Sequence, residues 1–296
     1  MGVVEIPAEL ARTRGSAFVA ALPARAADFL KRWELRRTAG PSMHGVCALV
    51  LPVERADGTP AVLKLQDVDA ETAGEPVALR VWDGDGAVRL LEYDAESGTL
   101  LLERLDPARD LSGVAVRDGV TVIAGLLARL TAAPAPADLR RLGEIAEAML
   151  DRTPAAARSL ADGAERRLLL DCAAAVREVA GEPGDRLLHW DLHFENVLAP
   201  LPDTGGGTRE PWLAIDPKPL AGDPGFELLP ALINRFDEGD ILGRFDLMTG
   251  VMGLERGRAR AWTLGRVLQN CLWDIHGGER VLEPVSAAVG RALLAR

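Results

Sequence analysis

The chain has 296 residues, 48% of them hydrophobic, which is ample material for one large domain or for two lobes with their own cores. Its 34 basic and 44 acidic side chains leave a formal charge of -10, the wrong sign for holding nucleic acid through its phosphates and the right sign for drawing a cationic small molecule into an acidic cleft. Cys47, Cys172 and Cys271 lie far apart without a CxxC spacing, so a reducing cytoplasm is expected, with neither a disulfide framework nor a thiolate zinc site.

The opening MGVVEIPAEL has no basic stretch leading into an apolar one, and Ile6 breaks the myristoylation pattern. No later run approaches the ~18 apolar residues of a membrane span. A soluble protein without a membrane partner is the expectation. Further along, CALVLPV (47 to 53) and PAVLKLQ (60 to 66) read as strands joined by the turn ADGT, where Gly58 can take the positive φ of a tight hairpin. Residues 75 to 82 read as a helix with Pro76 in its first turn. Two more strands follow at 87 to 94 and 98 to 105, which makes a small antiparallel sheet with one helix.

After LDPARD (105 to 110) the spacing becomes helical, at 120 to 130, 142 to 151 and 166 to 181. ENVLAP and PWLAIDP read as two short strands around the loop DTGGGTRE (203 to 210), whose glycines match no phosphate-binding pattern. The implied class is α+β, with a β-rich first lobe (1 to 104), a helical second lobe (105 to 296) and a cleft between them; the boundary falls near Glu103 to Arg109.

The stretch LLHWDLHFENVL (187 to 198) concentrates polar chemistry between apolar residues. His189 and His193 share a helical spacing, but the acid that directly follows the first histidine in zinc proteases is replaced here by Trp190, and no GxSxG elbow supports a hydrolase. Asp191 and Asn196 instead keep the five-residue spacing of a kinase catalytic loop. There one carboxylate accepts a hydroxyl proton while a side-chain amide binds the metal that bridges the phosphates. WLAIDP supplies a second metal ligand, Asp216, at the end of a strand, with Pro217 and Lys218 following it in place of Phe-Gly.

Upstream, AVLKL resembles the kinase strand in which a lysine meets nucleotide phosphates, which makes Lys64 the phosphate contact. A lysine inside an apolar strand needs a carboxylate partner; Glu75, eleven residues on, is the expected one and Glu71 the alternative. LLLERLDP would read adenine through backbone groups at Glu103 and Leu105. GPSMHG (40 to 45), with Ser42, would cover the phosphates. These parts in this order indicate a protein-kinase-like fold.

With those residues in place, the sequence resembles the aminoglycoside phosphotransferases, in their streptomycin 6-kinase and hydroxyurea phosphotransferase branch. The resemblance rests on KRWELRR, AVLKLQ, VWDGDGAVRLLEYD, TLLLERLD, EPGDRLLHWDLHFENVLA, EPWLAIDPKPLAGDPGFELLPAL and WTLGRVLQNCLWDI, and covers most of the chain. It implies transfer of a phosphoryl group from ATP to a hydroxyl of a streptomycin-type aminoglycoside, inactivating the drug. Asp191 would then be the base, Asn196 and Asp216 the magnesium ligands, and Lys64 the contact to the α and β phosphates, with His189 bonding the loop. His193 and Glu195 could touch substrate or organise the turn, Asp223 would organise backbone, and Glu227 could be structural or meet a substrate cation. On the last long helix Gln269, Asn270, Trp273 and Asp274 share a face and form a candidate acceptor wall, while Trp262 is expected in the core. Two other readings keep the scaffold: a sugar or amino-sugar kinase of the glucosamine type, and a catalytically inactive nucleotide-binding regulator.

Overall fold

The computed structural model describes residues 10, 16–38, 43–44, 48–202 and 210–295. Ser42 and Cys47 lie outside them, as does nearly all of the 203 to 210 loop. Two compact units divide the chain, one of Met1–Pro107 with Ala199–Pro211, the other of Ala108–Leu198 with Trp212–Arg296.

In the first unit helix α1 (Ser16–Arg32) precedes the strands β1 (Arg36–Arg37), β2 (Met43–His44), β3 (Ala48–Glu54) and β4 (Pro60–Gln66). The turn between β3 and β4 has Gly58 at φ 85°, the left-handed region that a tight hairpin demands and a β-carbon resists. Helix α2 (Glu75–Trp82) follows, then β5 (Leu90–Asp94) and β6 (Thr99–Glu103). The antiparallel sheet runs β1-β3-β4-β6-β5, with β2 beside β3. Leu22, Ala26 and Phe29 of α1 join Leu49, Leu51, Leu63, Leu65 and Leu101 in the core. The motif-by-motif reading did not anticipate α1, because its amphipathic stripe carries no chemistry.

β7 (Leu105–Asp110) leads towards the second unit, whose helices are α3 (Val116–Leu130), α4 (Leu142–Ser159) and α5 (Gly163–Val179). Next come β8 (Arg186–Leu188), β9 (Val197–Pro200), β10 (Leu213–Ala214) and β11 (Leu220–Gly222). Helices α6 (Leu229–Ile233), α7 (Ile241–Met252), α8 (Arg256–His276) and α9 (Pro284–Leu294) complete the unit. α8 is capped by Glu255, which accepts the N–H groups of Gly257 and Arg258. It packs on α5, α4 and α9, and buries Trp262 completely. Two short antiparallel ladders, β8 with β11 and β9 with β10, hold the segments on either side of residues 189 to 196. No described helix is long and apolar enough to cross a membrane.

Candidate active site

In the first unit Lys64 lies in β4, 5% exposed, and Glu75 opens α2, 1% exposed. Lys64 Nζ is 2.7 Å from Glu75 Oε1 and 2.8 Å from Oε2. Gln66 Nε2 donates to Glu75 Oε2 at 2.7 Å. The partner of Lys64 is therefore Glu75, and Pro76 is accommodated because the first turn of a helix needs no N–H from it. Glu103 Oε1 accepts the N–H of Arg89 at 2.6 Å, and Leu105 is buried.

In the second unit the loop after β8 is pinned by alternating apolar anchors. Leu188, Trp190, Leu192 and Phe194 are buried, and Phe194 sits so close to Gly119 of α3 that a β-carbon there would meet its ring at 2.6 Å. Glu227, wholly buried, accepts the backbone N–H groups of His189 and of Trp190, the latter at 2.8 Å. Burial pushes its carboxyl up to about 7 against the pull of those donors and of Arg266. This corrects the idea that Glu227 meets a substrate cation: no face of it reaches solvent.

His189 is also wholly buried. Its Nε2 meets the Ile215 carbonyl at 3.0 Å and its Nδ1 accepts the Asp191 N–H at 3.3 Å. Burial holds the imidazole down at about 4, outweighing the pull of Asp191 and Asp216. The neutral ring thus ties the strand before Asp216 to the loop of Asp191. Asn196 does the same from the other end: its Nδ2 donates to the Asp191 carbonyl at 2.9 Å, and its own carbonyl accepts the Ile215 N–H at 2.9 Å. Asp191, Asn196 and Asp216 are gathered by these bonds.

Two non-glycine residues here have left-handed backbone, Trp190 at φ 71° and Asp216 at φ 56°, a strain of about 1–3 kcal/mol each that surrounding contacts must offset. Lys218 Nζ hydrogen-bonds Asp191 Oδ2 and lies 3.9 Å from Asp216 Oδ2. Sequence reasoning assigned Lys218 no role; its only signal was its place in a stretch that departs from Asp-Phe-Gly.

Asp191 opens on a cavity of about 450 Å³, lined also by His193, Leu229, Pro230, Asn234, Arg266, Asn270 and Glu283. His193 Nδ1 pairs with Glu195 Oε2 at 2.7 Å, and Asn234 Nδ2 donates to that same oxygen at 2.9 Å. Of the predicted acceptor wall only Asn270 lines this cavity. Gln269 is buried, its Oε1 accepting Arg266 Nη1 at 2.9 Å. Trp273 packs edge-on against Trp190 with ring centres 5.9 Å apart. Asp274 is absent from the lining, and burial together with Glu283 and Glu279 raises its carboxyl. The cavity-facing row of α8 is Arg266 and Asn270, one helical turn apart, whereas the sequence placed it one step around. Glu283, missed in the sequence, caps α9 through the N–H groups of Val285 and Ser286. Burial would raise its carboxyl, but those donors prevail and hold it below the usual range. Asp223 organises backbone, accepting the Gly225 N–H at 2.8 Å and Arg258 Nε at 2.6 Å.

Asn196 and Asp216 offer the hard oxygen donors that magnesium takes. The amide nitrogen of Asn196 is committed to Asp191, which leaves its oxygen as the coordinating end, so the pair fits such an ion. Among the described residues no group of three or more His, Cys, Asp and Glu gathers as a metal cage; these two would share an ion with phosphates.

The strand order of the first unit, the helical second unit and the loop just described define a protein-kinase-like α+β fold. Solved structures agree. A thermostable mutant of the aminoglycoside phosphotransferase APH(4)-Ia, in ternary complex with ADP and hygromycin B, superposes with TM-score 0.61 at 12% identity over 91% of this chain and 97% of that one. A choline/ethanolamine kinase family protein from Mesorhizobium loti gives TM-score 0.59 at 19% identity over 94% and 95%. Residues 32–278 match the family model for aminoglycoside/hydroxyurea antibiotic resistance kinases. A hydroxyurea phosphotransferase from Kitasatospora aureofaciens is 64% identical over 99% of this chain and 87% of its own length. A streptomycin 6-kinase from Streptomyces glaucescens is 53% identical over 98% and 97%. The chain belongs to the aminoglycoside/hydroxyurea antibiotic resistance kinase family, and it is a phosphotransferase.

Proposed function

We propose that this protein transfers the γ-phosphoryl group of ATP to a hydroxyl of a streptomycin-type aminoglycoside, and so confers resistance. The observation that carries this reading is the opening of Asp191 onto a drug-sized cavity that also holds the carboxylate of Glu283 and the amides of Asn234 and Asn270. A polyhydroxylated cation finds acceptors, donors and negative charge there. The net charge of -10 favours its approach.

Asp191 accepts the proton of the attacking hydroxyl, and His193 and Glu195 border the acceptor beside it. Asn196 and Asp216 hold magnesium, which when bound neutralises charge on the phosphate oxygens. Lys64, fixed by Glu75, contacts the α and β phosphates; backbone groups at Glu103 and Leu105 read the adenine. In this scheme residues 1 to 104 bind nucleotide and 105 to 296 carry the catalytic loop and the acceptor, and the reaction runs in the cytoplasm, where ATP is available.

A second reading takes hydroxyurea as the acceptor, and the 64% identity to a hydroxyurea phosphotransferase favours it. The size of the cavity favours the aminoglycoside, since hydroxyurea would leave most of it empty. The deciding experiment incubates the protein with ATP and, separately, streptomycin, hydroxyurea and glucosamine, and follows phosphorylated product by phosphorus NMR. Product from streptomycin is the expected result. Product from hydroxyurea alone selects the second reading, glucosamine alone a sugar kinase, and nucleotide binding without any product an inactive regulator.

A further inference from the structure

The Asp-Pro-Lys-Pro stretch at 216 to 219 delivers a lysine to the candidate base by construction of the backbone. β11 pairs with β8 in the register Leu220 with Leu188 and Gly222 with Arg186. The pairing runs on past the strand ends, where the Lys218 N–H donates to the His189 carbonyl at 3.0 Å. Position 218 is thereby set beside the segment 189 to 191. Pro217 and Pro219 flank the lysine, each with a fixed φ, and Pro219 holds residue 218 extended. Arg140 Nη2 reaches the Lys218 carbonyl at 3.4 Å. The backbone of Lys218 is thus bonded on both sides, and its ammonium meets Asp191 Oδ2 with Asp216 Oδ2 3.9 Å away. Neither side chain is deeply buried, at 23% exposure for Lys218 and 26% for Asp191, so both can be reached by substrate.

We infer that Lys218 is a positioning residue of the phosphoryl transfer. It engages Asp191 through Oδ2, which leaves Oδ1 as the oxygen that takes the acceptor's proton. This rests on the reading of Asp191 as the base. In the step it serves, the acceptor oxygen bonds to the γ-phosphorus and its proton passes to Asp191 Oδ1. The bond from the γ-phosphorus to the bridging oxygen breaks, its electron pair leaving with ADP.

The test compares wild type with K218M, K218Q and K218R. Steady-state kinetics are measured on streptomycin and hydroxyurea, ATP affinity by calorimetry, and folding by thermal melting. The neutral variants should lose about 10²- to 10³-fold in kcat, the scale of removing one preorganised donor, with acceptor KM, ATP affinity and Tm close to wild type. K218R should regain part of kcat. A kcat within about threefold of wild type in folded K218M or K218Q overturns the inference, as does a loss that appears equally in ATP affinity. Should wild type phosphorylate neither acceptor, the acceptor assignment falls by itself. The same variants are then compared on ATP hydrolysis, with water as acceptor, where the same drop supports the role of Lys218 and its absence refutes it.

Discussion

The guanidinium carbon of Arg266 lies 4.8 Å from the centre of the Trp190 ring, and that of Arg140 lies 4.6 Å from the same ring. Arg266 also lies over the rings of Trp273 and Phe226. One aromatic side chain, adjacent in the chain to Asp191, thus sits with two cations, one of which lines the cavity beside Asp191.

Replacing Trp190 by glycine relieves its left-handed backbone but removes the ring. Truncating a buried tryptophan costs about 3–5 kcal/mol and relief of strain returns about 1–3, so W190G should be less stable than wild type, yet lose less than a usual core truncation. Acceptor KM should rise because Arg266 loses its support. W190F keeps a ring, and Trp190 Nε1 has no hydrogen-bond partner among the described residues to lose. Denaturant unfolding and acceptor kinetics on both variants check this; W190G with unchanged KM would show that the stacked ring does not support the cavity.

D191A should leave ATP affinity intact while kcat falls by about 10²- to 10⁴-fold, the usual contribution of a general base. Calorimetry with ATP beside single-turnover assays separates the two. Full activity in D191A would remove the base from the scheme.

The Lys64 and Glu75 pair is buried on both sides. Removing one partner strands the other charge, which costs about 3–5 kcal/mol. K64M and E75L should each unfold at much lower denaturant concentration, and the double variant K64M/E75L should recover part of that loss. Urea titrations of the three proteins measure the coupling, and additive losses would contradict it.

Glu227 and His189 give the stability opposite pH slopes. The folded Glu227 carboxyl sits at about 7, above its ordinary 4.5, so its contribution is full below 4.5 and is lost as pH rises through about 7. The folded His189 imidazole sits at about 4, below its ordinary 6.5, so its contribution is full above 6.5 and is lost as pH falls through about 4. E227Q should remove the first slope and H189Q the second, each on the order of a few kcal/mol across its window. Unfolding free energies between pH 4 and pH 8 read both, and parallel curves for wild type and variants would contradict the assignments.

Chelation and metal-ligand variants address the ion. EDTA should abolish transfer and added magnesium restore it, and D216N and N196A should each require more magnesium for half-maximal rate. A magnesium dependence equal to that of wild type in both variants would remove these residues as ligands.

What was legible in the sequence was what local patterning controls. The β3-β4 hairpin announced itself through Asp57 and Gly58, and α2 through Pro76, because turn and first-turn chemistry are set by a few adjacent residues. Asp191 and Asn196 were legible as a pair because both ride one tight turn, so their spacing in sequence is their spacing in space. Glu75 was already the favoured partner of Lys64 over Glu71, and the folded chain decided it by bringing both Glu75 oxygens within 2.8 Å of Lys64 Nζ.

The cavity beside Asp191 shows the opposite case. Helical periodicity on α8 correctly says that Gln269, Asn270, Trp273 and Asp274 are neighbours, but it cannot say which side of that patch faces a void. Arg266, Asn234 and Glu283 arrive from α8, the end of α6 and the cap of α9, and Lys218 reaches Asp191 only because β11 pairs with β8. The amino-acid order by itself determined the kinase-like elements and the residue types available for phosphoryl transfer, since both follow from short-range sterics and spacing. Tertiary packing alone decided which charges face the cavity and which are sealed in like Glu227, because burial and pairing of a charge depend on segments that meet only in the folded chain.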